Sequence, residues 1–356
     1  MAFMADYLVH RNQESLEVSN RLEHFCYDVM QIKAGRFRGM LRWTNIAWEV
    51  CYQDDMARVM IPTLLKAIYL KDETYLPQLC MALDFLLETT GKNGLRPART
   101  DNLVLDEKAI AEIKASDCDM PSAHYNAFYL ACLAVCGMLT KKAEYIAGAV
   151  RGMTAIMEAY PRTRREQSET EELCRLILPL SWLFWVTGDA QHKEWLYTVT
   201  ADLQKMRHKS GAYLEWDSDY SADCSKKEGG ECSLLTQNGD PVVDLLYSVN
   251  WLPLGFIQAH LVTGDDYFYS LWKDVTRFLM SAQIASDNPK INGAWARGFD
   301  VDFMEVYGIP NDVGWGPWAI ESGWTVAEIA AGIGIGLVKD QLRQYYPSNV
   351  CFGESL

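Results

Sequence analysis

Tryptophans and carboxylates alternate between Gly293 and Glu328, the stretch richest in side chains that could act on a sugar. Its glycines and prolines exclude one long helix. Flat aromatic rings can stack on the apolar faces of a sugar, while carboxylates bond its hydroxyls or move protons. The tryptophans of this stretch are Trp295, Trp315, Trp318 and Trp324. A loop whose tryptophans fill the core is the alternative, because Trp is common in cores.

Acidic residues at the starts of apolar segments are the candidates for proton transfer. We predict that Asp55 and Glu321 carry out this step, with Asp54, Glu169 and Asp312 as substitutes. Acids are also favoured at helix N-termini by the helix dipole, so capping alone would explain one member of the Asp54–Asp55 pair. A general acid or base is the role that a carboxylate at a binding mouth would serve.

Arginines and polar aromatic residues near the same segments are the candidates for binding. Arg162, Arg164 and Arg165 precede four glutamates, and guanidinium groups bind the carboxylate of a uronic acid bidentately. A solvated ion-pair network around a helix start is the alternative. His124 could be an acid or base, or a core histidine. The predicted substrate-binding residues are Trp43, Arg58, His124, Tyr125, Asn126, Arg164, Arg165, Trp295, Arg297, Trp315, Trp318 and Trp324.

Helices in consecutive pairs must position these side chains. In each pair the first helix is apolar nearly all round and should be buried, while the second is amphipathic. The clearest pairs are 121–140 with 141–161, 169–189 with 190–211, and 240–265 with 266–283. With buried helices also beginning near 54 and 323, the pattern predicts an all-α fold. We expect an (α/α) toroid of five to six helical hairpins, formed as a single domain over residues 1–356, with the loops before the buried helices at one mouth.

An internal repeat relates two of the buried helices. Residues 54–72 match residues 171–189 without a gap, which superposes Asp54–Asp55 on Glu171–Glu172, Arg58 on Arg175 and Pro62 on Pro179. Pro253 sits similarly in a third buried helix. A proline inside a helix is costly, so its recurrence indicates a shared architectural role. Gly332, Gly334 and Gly336, inside a later apolar helix, are typical of close packing.

These features resemble the six-hairpin glycosidase superfamily. The resemblance is carried by the hairpin pattern, DD-x-x-R at 54–58, WARG at 295–298 and GWGPWAIESGW at 314–324. Within the superfamily it is strongest to unsaturated glucuronyl and rhamnogalacturonyl hydrolases and related bacterial carbohydrate-active proteins. It implies a barrel whose mouth binds an oligosaccharide and uses Asp or Glu as acid and base. Sugar epimerases, isomerases and polysaccharide lyases share the toroid, so these activities and a non-catalytic saccharide-binding protein remain alternatives.

The composition of the chain limits the classes of molecule that it is expected to bind. The net charge of −14 argues against nucleic acid and anionic membranes. There is no apolar run of 18 residues and no basic-then-apolar N-terminal segment, and the ten cysteines include no CxxC pair. We therefore predict a cytoplasmic protein with free thiols. A calcium-loop pattern at 217–228 has Ala222 where Gly is required, so we predict no metal and no cofactor. The oligomeric state is left open.

Overall fold

The computed structural model of the protein describes residues 1–226, 232–310, 320 and 324–346. Contacts between Cα atoms divide these residues into two compact units. The amino unit consists of residues 12–164 and 182–188, and the carboxyl unit consists of residues 1–11, 165–181 and 189–346. The prediction of a single domain stays a prediction.

The amino unit is built of helices that pack pairwise. In chain numbering, they are α2 (Gln13–His24), α3 (Gln53–Tyr69), α4 (Leu76–Glu88), α5 (Glu107–Ala115), α6 (Phe128–Thr140) and α7 (Ala143–Ala159). Two π-helical turns, Phe25–Met30 and Ala123–Ala127, extend α2 and precede α6. Strand β1 (Val50–Cys51) pairs antiparallel with β2 (Thr100–Asp101). Helix α6 contacts both α3 and α7.

The apolar character of α6 explains its central place in this unit. Every residue from Phe128 to Gly137 is buried, so α6 has no solvent face, as the sequence predicts. Helix α3 has Asp54 and Asp55 in its first turn and Pro62 in its interior. Acids near the start of a helix are stabilised by its dipole, which makes this helix start tolerant of paired carboxylates.

The carboxyl unit combines helices with a small sheet. Its helices are α1 (Ala2–His10), the first thirteen residues of α8 (Glu169–Thr187), α9 (Ala190–Leu203), α10 (Leu252–Thr263), α11 (Asp266–Ala282), α12 (Trp324–Leu337) and α13 (Lys339–Leu342). The sheet has the antiparallel order β3 (Val242–Asp244), β4 (Gly298–Asp300), β5 (Glu305–Val306). Helix α1, which the sequence analysis did not predict, packs on α12.

Glycines allow α12 to approach its neighbours closely. A Cβ atom at Gly332 would lie 2.3 Å from the backbone nitrogen of Leu254, and one at Gly336 would lie 2.1 Å from the Trp272 ring. The indole N–H of Trp272 also donates to the carbonyl of Gly332 over 3.1 Å. The prediction that these glycines are close-packing positions is therefore confirmed.

The predicted helix over 240–265 is wrong in its first half. Residues 242–244 form β3, with Val243 opposite Phe299, and α10 begins only at Leu252. The β-branched Val242 and Val243 favour a strand once a partner strand is available. Pro253 therefore lies at the second position of α10, where its missing N–H costs no hydrogen bond. The shared internal proline is limited to α3 and α8.

One segment among the described residues, Ala123–Thr140, is long and apolar enough to cross a membrane. Some 78% of it is buried inside the protein, as expected of a core helix in a folded unit. Its length and composition alone are therefore weak evidence for a membrane span.

Candidate active site

Two carboxylates and a histidine meet where α3 begins in the amino unit. The pairing of β1 with β2 fixes the chain just before α3. The Asp54 carboxylate lies 3.7 Å from Nε2 of His124, and both side chains are more than nine-tenths buried. Asp55 is 25% exposed and lies 3.8 Å from Nε of Arg58. One carboxylate is therefore held against an imidazole, while its neighbour faces solvent beside a guanidinium.

A π-helical turn presents His124. The turn begins after Ser122, whose hydroxyl accepts the Tyr125 N–H over 3.5 Å. The His124 ring meets the Tyr125 ring edge-on at 4.5 Å between centroids. Asn126 is fully buried, and its amide bonds the backbone of Arg96 and Met120. Asn126 therefore anchors the turn, while His124 lies at the Asp54 carboxylate and Tyr125 lies against the His124 ring. Asp54, Asp55, Arg58, His124 and Tyr125 together form the acid–histidine cluster.

Aromatic rings lie just before the two carboxylates along the chain. Trp43 is 46% exposed and lies 5.6 Å from the Tyr52 ring, centroid to centroid. The Arg99 guanidinium donates to the Tyr52 hydroxyl over 2.9 Å. Trp43 was predicted to bind substrate, whereas Tyr52 and Arg99 were missed. Tyr52 could have been recognised from the sequence, since an aromatic residue two positions before paired acids is well placed to stack on a sugar bound at those acids.

The arginine-rich segment before α8 is largely committed to internal contacts. Arg165 is buried and pairs with the buried Asp217. Glu169 accepts the Ser218 N–H over 3.0 Å and lies 3.5 Å from Arg165. Arg164 is exposed, and its backbone N–H donates to the Pro121 carbonyl. Ion pairing at a helix start therefore describes Arg165 and Glu169 better than a substrate clamp does.

Trp295 and Arg297, both predicted to bind substrate, are buried in the carboxyl unit. The Trp295 indole N–H donates to the Leu279 carbonyl over 2.7 Å. The Arg297 guanidinium is fully buried and donates to Asp244 over 3.0 Å and to the Cys232 carbonyl over 2.9 Å. The structure thus corrects both assignments, because neither side chain has an exposed surface for a sugar.

Arg297 belongs to a buried charge cluster that sequence reasoning missed. Glu171 lies 3.2 Å from Arg175, and Asp244 lies 3.0 Å from Arg297, both measured to Nε. Glu215 is also buried, and among the described residues it has no ion pair with a lysine or arginine. The five members thus comprise three carboxyl groups and two guanidinium groups. Burying an unneutralised charge is costly, so one proton should remain in the cluster.

Glu215 is the group expected to keep that proton. Burial raises the pKa of both Glu171 and Glu215 to about 8, from an ordinary value of 4.5, and the neighbouring Asp244 carboxylate adds to the shift of Glu215. Glu171 lies 3.2 Å from Arg175, whereas no lysine or arginine pairs with Glu215 among the described residues, so the proton is assigned to Glu215. Its Oε1 has no hydrogen-bond partner within the described part of the protein. A protonated carboxyl has the shape of an amide, so Glu215→Gln should preserve this environment.

We expect the protein to lose stability as the pH rises from about 5 to about 8. In that pH window the folded chain holds a proton on Glu215, whereas the unfolded chain has released it. Rising pH therefore stabilises the unfolded state relative to the folded state. Urea unfolding across this range should show that the free energy of unfolding falls as the pH rises. In Glu215→Gln this fall should be smaller, by roughly 1.4 kcal/mol for each unit by which the folded-state pKa of Glu215 exceeds its unfolded value. An unchanged slope in the variant would contradict this assignment. Glu305→Gln, at an exposed position of β5, is the matched control.

Several predicted residues lie outside the described residues. These are Asp312, Trp315, Trp318 and Glu321, together with Glu228 of the calcium-loop pattern. Trp324 begins α12, but its side chain also lies outside.

The described residues contain no group of three or more His, Cys, Asp or Glu side chains placed to hold a metal ion. Asp217, the first residue of the calcium-loop pattern, pairs with Arg165 and accepts the Ala222 N–H over 2.9 Å. Its carboxylate is therefore already committed to internal contacts.

Comparison with solved structures shows the fold. No family model matches the chain. No curated protein sequence matches it either. The cellobiose 2-epimerase of Bacillus thermoamylovorans superposes with a TM-score of 0.59 at 12% identity, covering 94% of this chain and 84% of that one. An unsaturated glucuronyl hydrolase specific for heparin superposes with a TM-score of 0.57 at 11% identity, covering 96% of this chain and 84% of that one. The GH76 α-mannanase of Bacteroides thetaiotaomicron superposes with a TM-score of 0.56 at 10% identity, covering 96% of this chain and 84% of that one. The chain therefore has the six-hairpin (α/α)-toroid fold, and the predicted all-α fold class is confirmed.

Proposed function

We propose that the protein is a glycoside hydrolase that acts on oligosaccharides through the acid–histidine cluster. The observation that carries this proposal is the contrast between two adjacent acids at the start of α3. Asp54 is buried against His124, whereas Asp55 is partly exposed beside Arg58. Hydrolysis of a glycosidic bond needs one group that gives a proton and another that activates water, and differently placed carboxyl groups meet that need.

Asp55 is assigned as the proton donor to the leaving oxygen. It is the member of the pair that a substrate can reach, since its side chain is 25% exposed. Asp54 and His124 act together as the base, since the Asp54 carboxylate lies 3.7 Å from the imidazole Nε2 and can orient it. Glu321 remains the second candidate for a carboxylate in this reaction.

Exposed aromatic surface supports a saccharide as the substrate. Trp43 and Tyr52 lie within 5.6 Å of each other, and Tyr52 is two residues before Asp54. The neighbouring folds include proteins described as a mannanase, a glucuronyl hydrolase and a cellobiose epimerase, which all act on sugars. A uronic acid unit would suit Arg58 and Arg99, because guanidinium groups bind carboxylates well.

An epimerase or isomerase is the second candidate, and the His124–Asp54 pair favours it. Removing a proton next to a sugar carbonyl requires one base at that carbon, and an imidazole held by a carboxylate is suited to it. In this reaction no glycosidic bond breaks, so Asp55 would not be needed as a proton donor to a leaving group.

A substrate panel run in deuterated water tests both candidates. The panel contains manno-, gluco- and unsaturated uronide oligosaccharides together with mannose and cellobiose. New reducing ends would establish hydrolysis, and loss of absorbance from a 4,5-double bond would narrow the substrate to unsaturated uronides. Deuterium at C2 without new reducing ends would establish epimerisation or isomerisation. Rising absorbance would identify a lyase, and a silent panel with measurable sugar binding would overturn the enzymatic proposal.

We further propose a cytoplasmic location. The thiol-rich composition, ten cysteines without a CxxC pair, supports it.

A further inference from the structure

A pair of cysteines on neighbouring helices of the amino unit lies apart from the acid–histidine cluster. Cys80 is in α4 and Cys136 is in α6, and their sulfur atoms are 3.6 Å apart, in hydrogen-bond contact. The two residues are 56 positions apart in sequence, so the fold alone brings them together. Cys136 is buried, whereas Cys80 is partly exposed. Cys80 is thus the member of the pair that has solvent-exposed surface, and Cys136 is enclosed by the protein.

The surroundings of Cys80 favour its thiolate. The hydrogen bond with Cys136, followed by the charge of Lys142, lowers the pKa of Cys80 to about 7. Lys142 donates to the Tyr145 hydroxyl over 2.8 Å, and that hydroxyl donates to the Cys80 carbonyl over 3.2 Å. Asp84, 3.9 Å from Lys142, is the acid that opposes this effect. A thiolate is the reactive form of cysteine, so Cys80 is set up as the attacking sulfur.

Other half-buried cysteines of the same unit lack this arrangement. Burial raises the pKa of Cys118 and of Cys26 above the ordinary value. Burial likewise raises the pKa of Cys132, one helical turn before Cys136. The amino unit therefore contains one activated thiol, Cys80, and its nearest sulfur neighbour is another cysteine.

We propose that Cys80 and Cys136 form a redox-active dithiol that a peroxide oxidises to a disulfide joining α4 to α6. The Cys80 thiolate attacks one peroxide oxygen, the O–O bond breaks, and Cys80 becomes a sulfenic acid. The departing hydroxide takes up a proton equivalent to the one that the Cys80 thiol released to solvent, and leaves as water. The Cys136 sulfur then attacks the Cys80 sulfur, the S–O bond breaks, and the departing hydroxide takes the Cys136 proton. Two electrons pass from the two thiols to the peroxide, which leaves as two waters.

Formation of the disulfide requires only a small movement of the two sulfur atoms. A disulfide bond is about 2.05 Å long, so the sulfurs must approach by about 1.6 Å from their present separation. The Cys136 sulfur already lies where a resolving thiol must be, which protects Cys80 from oxidation beyond the sulfenic acid.

Peptide mapping of the peroxide-treated full chain tests the proposal. Trypsin should yield peptide 72–92 joined to peptide 115–141, lighter by two hydrogens than the reduced pair. The second peptide also contains Cys118 and Cys132. Cys118→Ser should keep the cross-link, and Cys136→Ser should abolish it and leave Cys80 as a sulfenic acid that dimedone traps. A thiol reductant should restore the separate peptides of the wild type.

Two results would overturn the proposal. One is oxidation of Cys26 or Cys118 before Cys80 in the wild type. The other is a cross-link that persists in Cys136→Ser, since this would mean that another thiol resolves Cys80. Because the order in which the cysteines are oxidised is read in the wild type, the first result does not depend on whether the variant folds.

Discussion

Replacing Asp55 by Asn should lower kcat by about 10²- to 10⁴-fold, the usual contribution of a positioned general acid. The amide keeps the size of the side chain but has no acidic proton to give to a leaving group. The thermal midpoint should change little, because Asp55 is partly exposed and its interaction with the helix dipole is worth about 0.3–1 kcal/mol. Initial rates on the best substrate of the panel, with circular dichroism for folding, provide the measurement.

Matched variants separate this role from general charge effects. Asp117→Asn removes an exposed carboxylate of the amino unit that does not belong to the acid–histidine cluster, and its kcat should equal that of the wild type. Asp54→Asn should also lower kcat, because His124 loses the carboxylate that lies 3.7 Å from its Nε2. Full activity of Asp55→Asn on every substrate would refute its assignment as the proton donor, while the fold would stand.

Replacing Arg297 by Ala should destabilise the protein by about 3–5 kcal/mol, since it leaves the buried Asp244 without its guanidinium. Asp244 also accepts the backbone N–H groups of Leu246 and Tyr247, both over 2.8 Å, so it cannot turn away to solvent without breaking them. The guanidinium further contacts the Tyr247 ring at 5.0 Å. Urea unfolding measures the loss.

Arg297→Lys is the conservative control. It keeps the charge but not the fork of donors that reaches both Asp244 and the Cys232 carbonyl, so an intermediate loss is expected. A double-mutant cycle with Asp244→Asn should show a coupling energy near the upper end of the usual range for contacting residues, about 3 kcal/mol. The opposite pattern, wild-type stability with weakened sugar binding in Arg297→Ala, would restore Arg297 as a substrate clamp.

Helices with strong local patterns could be predicted from sequence. The buried helix predicted to begin near 54 is α3, Gln53–Tyr69, and the repeat that relates α3 to α8 appears in both as an acid-rich first turn and an internal proline. These features depend on helix propensity and hydrophobic periodicity over a few turns, and both can be recognised within a single short segment of sequence.

Features that depend on distant partners could not be predicted. Strand β3 exists because β4, some 55 residues later, pairs with it. The same pairing places Asp244 next to Arg297 and makes the WARG arginine an internal residue. Likewise, Trp295 is apolar enough for either a core or a sugar platform, and only the fold shows that its indole N–H is directed to the Leu279 carbonyl.

The π-helical turn before α6 has a consequence for how this site could be altered. A π turn accommodates one more residue than the α-helical turn it replaces. Deleting one residue between His124 and α6, such as Ala127, would allow the segment to become regular, turning everything before the deletion by about 100° and advancing it by about 1.5 Å relative to α6. His124 would then leave the Asp54 carboxylate with no change in its own chemistry. The direction of the imidazole is thus encoded by the length of the chain, and a single-codon deletion would redirect it.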